Sequence, residues 1–302
     1  MTRRAGLGVA GVRVGHWTDS HHQTGCTVVE FPAGTVASYE ARGGAPASRE
    51  LELLRPDKSV TTVDAVLLTG GSAFGLAAAQ GVMRYYEEIG RGVQTSAGTV
   101  PVIPALALYD LSVGDGTVRP AAEHGYIAAR ATRSKQVVSG RLGAGTGACV
   151  SHWRGPSGRQ PAGLASHVAS MGPLVVAALC AVNAFGDIDY GDGATGLDAI
   201  QRLAQPFNFA SGRMHTTIGV VCTNGQFSKT DCQVLAQGAH DGLACAITPP
   251  HTRFDGDAFI AAATGEVDAN IDVARFLALS AVCRAIRSIA TVVRERTEQD
   301  SS

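Results

Sequence analysis

Glycine sets the grain of this sequence. It occupies 37 of the 302 positions, about 12% where about 7% is usual. It recurs with no fixed period, which excludes a collagen-like helix. It falls instead between short runs of β-branched and aromatic residues, as the punctuation of strands and turns does. Val12 to Trp17, Cys26 to Phe31 and Thr35 to Tyr39 read as strands on this basis. Asp64 to Thr69 reads as a buried strand that runs through Gly70-Gly71-Ser72 into a helix over Ala73 to Ile89, with Ser72 as its expected cap. Ser48 to Leu54 reads as a short helix with Ser48 as N-cap, and Leu174 to Asn183 as strand or helix by periodicity alone. Thr216 to Thr223 is β-branched and strand-like, whereas Ser228 to Ile247, Asp257 to Thr264 and Ile271 to Arg294 read as helices. Strands and helices mix without strict alternation. The pattern predicts an α+β layered architecture over 1–302 rather than a doubly wound sheet.

Charge and hydropathy exclude several classes of function. The chain carries 25 Lys+Arg against 26 Asp+Glu, so no basic excess exists to neutralise phosphates, and no nucleic-acid partner is expected. Hydrophobic residues make up 45%, which excludes a disordered chain. The longest strongly apolar stretch, Pro173 to Phe185, is shorter than the roughly 20 residues that a bilayer crossing needs. The start, Met1 to Gly6, lacks the apolar core of a signal peptide. A cytoplasmic protein without a membrane partner is therefore expected. The seven cysteines are odd in number and form no C-x-x-C pair, which fits free thiols.

Local motifs are individually weak. Gly70-Gly71-Ser72-Ala73-Phe74-Gly75 sits between a strand and a helix, but Phe74 stands where a nucleophile elbow needs its last glycine. Gly143-Ala144-Gly145-Thr146-Gly147 has the wrong spacing for a dinucleotide loop and reads as close backbone packing. Asp187, Asp189 and Asp192 are spaced loosely like a calcium loop without its glutamate, and read as an acidic turn. Asp255-Gly256-Asp257 fits either a helix cap or a carboxylate pair that orients a nucleophile or a proton shuttle. No motif implies a metal or another cofactor.

Taken together and in order, the motifs resemble one family over about Gly11 to Ile289. They are Gly11-Val-Arg-Val-Gly-His16, Thr24-Gly-Cys-Thr-Val28, Arg42-Gly-Gly-Ala-Pro46, Leu68-Thr-Gly-Gly-Ser-Ala-Phe-Gly-Leu76, Val100-Pro-Val-Ile-Pro104, Tyr109-Asp-Leu111, Gly143 to Gly147, Val182-Asn-Ala-Phe-Gly-Asp187 and Thr216 to Asn224. The chain resembles the L-aminopeptidase/D-esterase (DmpA-type) family, which includes β-peptidyl aminopeptidases and a nylon-oligomer hydrolase.

The resemblance implies a four-layer αββα sandwich and a precursor that cuts itself to expose an N-terminal nucleophile. The matching position here is Thr216. The expected cut is His215–Thr216, giving an α-chain of 1–215 and a β-chain of 216–302. The chemistry is coherent: a threonine hydroxyl needs a base, and a free α-amine with a pKa near 8 supplies one once the preceding bond is broken. The resemblance further implies that Asn183 donates to the oxyanion. Asp255 and Asp257 orient the nucleophile and its amine, as in the nylon-oligomer hydrolase, and Tyr109 lies near the substrate. Gly71, Ser72 and Gly145 are expected to line the substrate site. His152 stands where many relatives carry lysine, so its charge depends on pH. The implied reaction is hydrolysis of small peptides or related amides by a homo-oligomer, expected as a tetramer. Rival readings are nucleophilic attack by Thr217 or Ser72, and an unprocessed relative that binds a ligand without catalysis.

Overall fold

The computed structural model describes residues 7–133, 139–191, 201 and 215–290. Its principal strands are β1 (Arg13–Asp19), β2 (Thr24–Glu30), β3 (Val36–Ala41), β4 (Ala47–Arg49), β5 (Ala65–Thr69), β6 (Ala105–Ala107), β7 (Leu164–Met171), β8 (Leu174–Asn183), β9 (Thr216–Gly225) and β10 (Ala258–Val267). They form two sheets, ordered β1-β2-β5-β6-β4 and β7-β8-β9-β10-β3. The principal helices among the described residues are α1 (Ser72–Gly75), α2 (Ala78–Glu88), α3 (Ala122–Ala131), α4 (Lys229–Ala244) and α5 (Ile271–Arg287).

Side-chain alternation along the strands builds three apolar layers. In β5, Val66 and Leu68 face the second sheet, while Ala65 and Leu67 face α2 and α3. In β9, Ile218, Val220 and Cys222 pack in the middle layer with Ala177, Leu179 and Ala181 of β8. Val221 turns the other way, joining Ala178, Cys180 and Val182 against Leu235, Ala239 and Leu243 of α4 and Ala278 and Val282 of α5. The result is the αββα sandwich that the sequence motifs imply. Each leucine or valine fully buried in these layers stabilises the fold by about 1.5–3 kcal/mol relative to exposure.

Capping explains where the outer helices begin. The Ser228 hydroxyl accepts from the Asp231 N–H at 3.2 Å and the Asp231 carboxylate accepts from the Ser228 N–H at 3.0 Å, a reciprocal box that opens α4. Asn270 Oδ1 accepts from the Asp272 N–H at 2.7 Å to open α5. No helix among the described residues is long and apolar enough to cross a membrane.

Several elements differ from the sequence reading. Asp257 to Thr264 is not a helix, since Ala258–Val267 is strand β10. Its alanines favour a helix intrinsically, but the run pairs with β9 on one edge and β3 on the other and packs both faces into apolar layers, and this tertiary context overrides propensity. Ser48 to Leu54 divides into the short strand β4 and a single 3-10 turn at Glu52–Leu54. The helix expected over Ala73 to Ile89 breaks into α1 and α2, and its cap is Gly71, at φ 78°, rather than Ser72. The ambiguous Leu174 to Asn183 is strand β8. The helix read as ending at Ile247 stops at Ala244, where Ile247–Thr248 turns to pair with Asp187–Ile188. The end of the last expected helix (291–294), residues 205–214 of the stretch Gln205 to His215 that reads as a loop, and Asp192 lie outside the described residues.

Candidate active site

The site forms where the two sheets release their chain ends. β8 and β9 are antiparallel, and their register sets Asn183 opposite Thr216. By alternation from Ala181 and Ile218, both side chains face the space between the sheets. Thr217 belongs to the opposite face of β9, toward α4 and α5, and its hydroxyl is buried without a hydrogen-bond partner. The two adjacent threonines are thus separated by the pleat of a single strand.

Asn183 is fully buried and its amide orientation is fixed by three contacts. Oδ1 accepts from the Cys149 N–H at 3.0 Å and lies 3.2 Å from His152 Nε2, while Nδ2 donates to the Tyr109 carbonyl at 2.9 Å. An amide oxygen cannot donate, so His152 Nε2 must carry the proton. Ser151, at φ 63°, turns the chain so that His152 reaches the asparagine. Burial holds the His152 pKa below the usual histidine value, opposed by the Asn183 contact. The ring is therefore neutral at pH 7, a hydrogen-bond donor where a lysine would be a cation.

The opposite wall is the turn Thr252 to Asp257. His215 forms a parallel bridge with Asp255: its N–H donates to the Phe254 carbonyl at 3.4 Å, and its carbonyl accepts from the Gly256 N–H at 2.9 Å. The Thr216 hydroxyl donates to that same His215 carbonyl. Only glycine fits at 256, because a β-carbon there would stand 2.8 Å from Thr216 Oγ1 and 2.7 Å from the Ala45 carbonyl. The motif Arg42 to Ala45 braces this turn from behind. Arg42 N–H donates to the Asp257 carbonyl at 3.0 Å and Ala45 N–H to the Asp255 carbonyl at 2.9 Å.

The two aspartates have different surroundings. Asp257 Oδ1 accepts from the Thr217 N–H at 2.7 Å, and Oδ2 lies 2.9 Å from His251 Nδ1. Asp255 Oδ1 accepts from the Phe185 N–H at 3.0 Å, and Oδ2 from the Thr252 N–H at 3.0 Å and the Thr252 hydroxyl. Burial first, and the Asp257 charge second, push the Asp255 pKa up to about 7, against the pull of those donors. Neither residue caps a helix, because the run that follows them is strand β10.

The raised Asp255 pKa has a measurable consequence. In an unfolded chain an aspartate loses its proton near pH 4. Between that pH and about 7 the folded protein holds a proton that the unfolded chain lacks, so stability falls as pH rises through the window. Asp255→Asn cannot ionise. Whatever fixed cost the amide brings, the melting temperature of the wild type is expected to fall more steeply between pH 5 and pH 8 than that of the variant. Parallel curves contradict this assignment.

The remaining expected residues are placed as follows. Tyr109 enters the site through its carbonyl on Asn183. Its neighbour Asp110 accepts from the Thr24 hydroxyl at 2.8 Å and the Gly71 N–H at 2.7 Å, and the Ser72 N–H donates to the Leu108 carbonyl at 2.8 Å. Gly71 and Ser72 therefore flank the Tyr109 loop. Gly145 packs on another backbone, where a β-carbon would come within 2.5 Å of the Gly163 carbonyl carbon. Asp187 is paired by Arg154 at 2.8 and 3.2 Å, and Asp189 accepts from the Gly191 N–H, so both have local partners. Sequence reasoning passed over His251, Thr252, Phe185 and Phe254. The only sequence cue to the first two is their place just before Asp255, because their contacts arise from a turn rather than from a periodic element.

Comparison with known proteins agrees with this architecture. The sequence matches the profile of peptidase family S58 over residues 7–297. An uncharacterized aminopeptidase of Mycobacterium leprae is 42% identical, with 86% of this chain and 78% of the relative covered. A 6-aminohexanoate-oligomer endohydrolase of Kocuria sp. is 26% identical, covering 85% and 74%. Among solved structures, a Burkholderia sp. beta-aminopeptidase superposes with a TM-score of 0.70 at 21% identity, over 95% of this chain and 87% of that one. The L-aminopeptidase D-Ala-esterase/amidase of Ochrobactrum anthropi, described as a variant of the Ntn hydrolase fold, gives 0.70 at 18%, over 97% and 88%.

Proposed function

The chain belongs to peptidase family S58 and is a hydrolase of peptide amide bonds, and we propose that it matures by cutting its own His215–Thr216 bond and then works through Thr216. The observation that carries this reading is the His215 carbonyl, held by the Gly256 N–H while the Thr216 hydroxyl lies against it.

In maturation, Thr216 Oγ attacks the His215 carbonyl carbon. The hydroxyl proton passes to the amide nitrogen, the C–N bond breaks, and residue 215 is left as an ester on Oγ. Water then adds to the ester carbonyl, its proton returning to Oγ, and Thr216 keeps a free α-amine. In turnover that amine takes the Oγ proton as Oγ attacks the substrate carbonyl, and gives it to the departing amine. A water repeats the sequence on the acyl-enzyme. The Gly256 N–H and the second N–H of Asn183 Nδ2 stabilise the oxyanion. Asp255 and Asp257 orient Thr216 through the turn that brackets it. His152 holds Asn183 in place as a neutral donor.

Acid-quenching the enzyme during turnover of a slow aminoacyl ester, followed by peptide mapping, tests the nucleophile. The expected result is acyl mass on the peptide that begins at Thr216. Acyl mass on Ser72 or on the Thr217 side chain overturns the assignment.

A further inference from the structure

His215 is held as a substrate would be. Its N–H points at the Phe254 carbonyl and its own carbonyl at the Gly256 N–H. Its ring lies 4.2 Å from the His152 ring at 35° and 5.4 Å from the Phe185 ring, with Phe254 tilted against Phe185 at 5.3 Å. Phe185, Phe254 and Trp153 form a small buried cluster of their own, apart from the three main layers. The wall around residue 215 is thus aromatic on its side-chain side and main-chain polar on its backbone side.

The chemistry of self-cleavage links this arrangement to turnover. The intermediate of the self-cut is an ester of residue 215 on Thr216 Oγ. The intermediate of substrate hydrolysis is an ester of the substrate's acyl residue on the same oxygen. The same carbonyl contacts and the same side-chain surroundings therefore serve both.

We propose that the place His215 fills before the cut is the acyl subsite of the mature enzyme, and that the preferred substrates are small peptides or amides whose N-terminal residue carries a planar ring. In such a substrate the free amine meets the Phe254 carbonyl, the attacked carbonyl meets the Gly256 N–H, and the ring packs beside His152 and Phe185. A ring there gains stacking contacts that a methyl group lacks. A free amine suits the Phe254 carbonyl as a donor that a blocked substrate supplies less well. This inference rests on the Thr216 reading above.

Two measurements on the full-length protein test it. The first is kcat/KM for the p-nitroanilides of phenylalanine, histidine, alanine and glycine, with N-acetylphenylalanine p-nitroanilide as the blocked control and with the intact mass of the same sample recorded. Phenylalanine and histidine are expected to exceed alanine by about tenfold or more, the scale of a well-formed side-chain pocket, and the blocked substrate to be the poorer one. The second is the self-cleavage rate of His215→Phe and His215→Ala, expected in the same order, with His215→Phe the faster. A protein cut at Thr216 that prefers alanine or glycine overturns this inference alone. A protein that stays a single chain overturns the Thr216 reading and this inference with it.

Discussion

Thr216→Ala is expected to run as one 31.1 kDa chain on a denaturing gel, whereas the wild type is expected to give the two pieces 1–215 and 216–302. Hydrolysis of aminoacyl anilides should fall by about 10⁴-fold or more, because removing a nucleophile removes the whole covalent route at once. Thr216→Ser keeps both a hydroxyl and, after cleavage, an amine, and is expected to retain cutting and turnover. The pair separates chemistry from folding, since alanine and serine both fit where the buried Thr216 side chain sits. Thr217→Ala is the matching control. Thr217 faces the helical layer, and its hydroxyl makes no hydrogen bond that the fold would lose. That variant should still be cut and should still turn over.

The second large effect is expected at Asn183. If Asn183 donates to the oxyanion as proposed, truncation to alanine should slow self-cleavage and lower kcat by about 100- to 1,000-fold. It also strands the Cys149 N–H and the Tyr109 carbonyl, both of which Asn183 satisfies in a buried site. Each stranded group costs about 1–3 kcal/mol, so a fall in melting temperature should accompany the kinetic loss. The check is kcat measured on the cleaved fraction beside a thermal melt. A destabilised variant with near wild-type kcat would show that Asn183 only braces the Tyr109 loop.

Much of this site is legible in the sequence because its parts lie at the ends of periodic strands. The β-branched run from Thr216 announces a strand, and Asn183 closes an apolar run that pairs with it residue for residue. The glycines also have specific addresses. At Gly256 a side chain would collide with Thr216 Oγ1, and at Gly43 it would crowd the Asp255 carbonyl. The turn from His251 to Asp257 was harder to read. Its contacts depend on His251 at φ 50°, a conformation that no pattern of apolar residues reports. The run after it reads as a helix but is a strand, because β9 and β3 pair along both of its edges and its two faces pack into different apolar layers. His152 was legible as a departure from lysine, but not as a neutral donor, which depends on its burial against Asn183.

The account stands on one bond. Intact mass spectrometry of the purified wild type, with N-terminal sequencing of each piece, measures it directly. The account predicts two chains, one of them beginning Thr216-Thr217-Ile218. A single uncut chain that nevertheless hydrolyses peptide amides, or a cut that leaves Thr217 first, would contradict it.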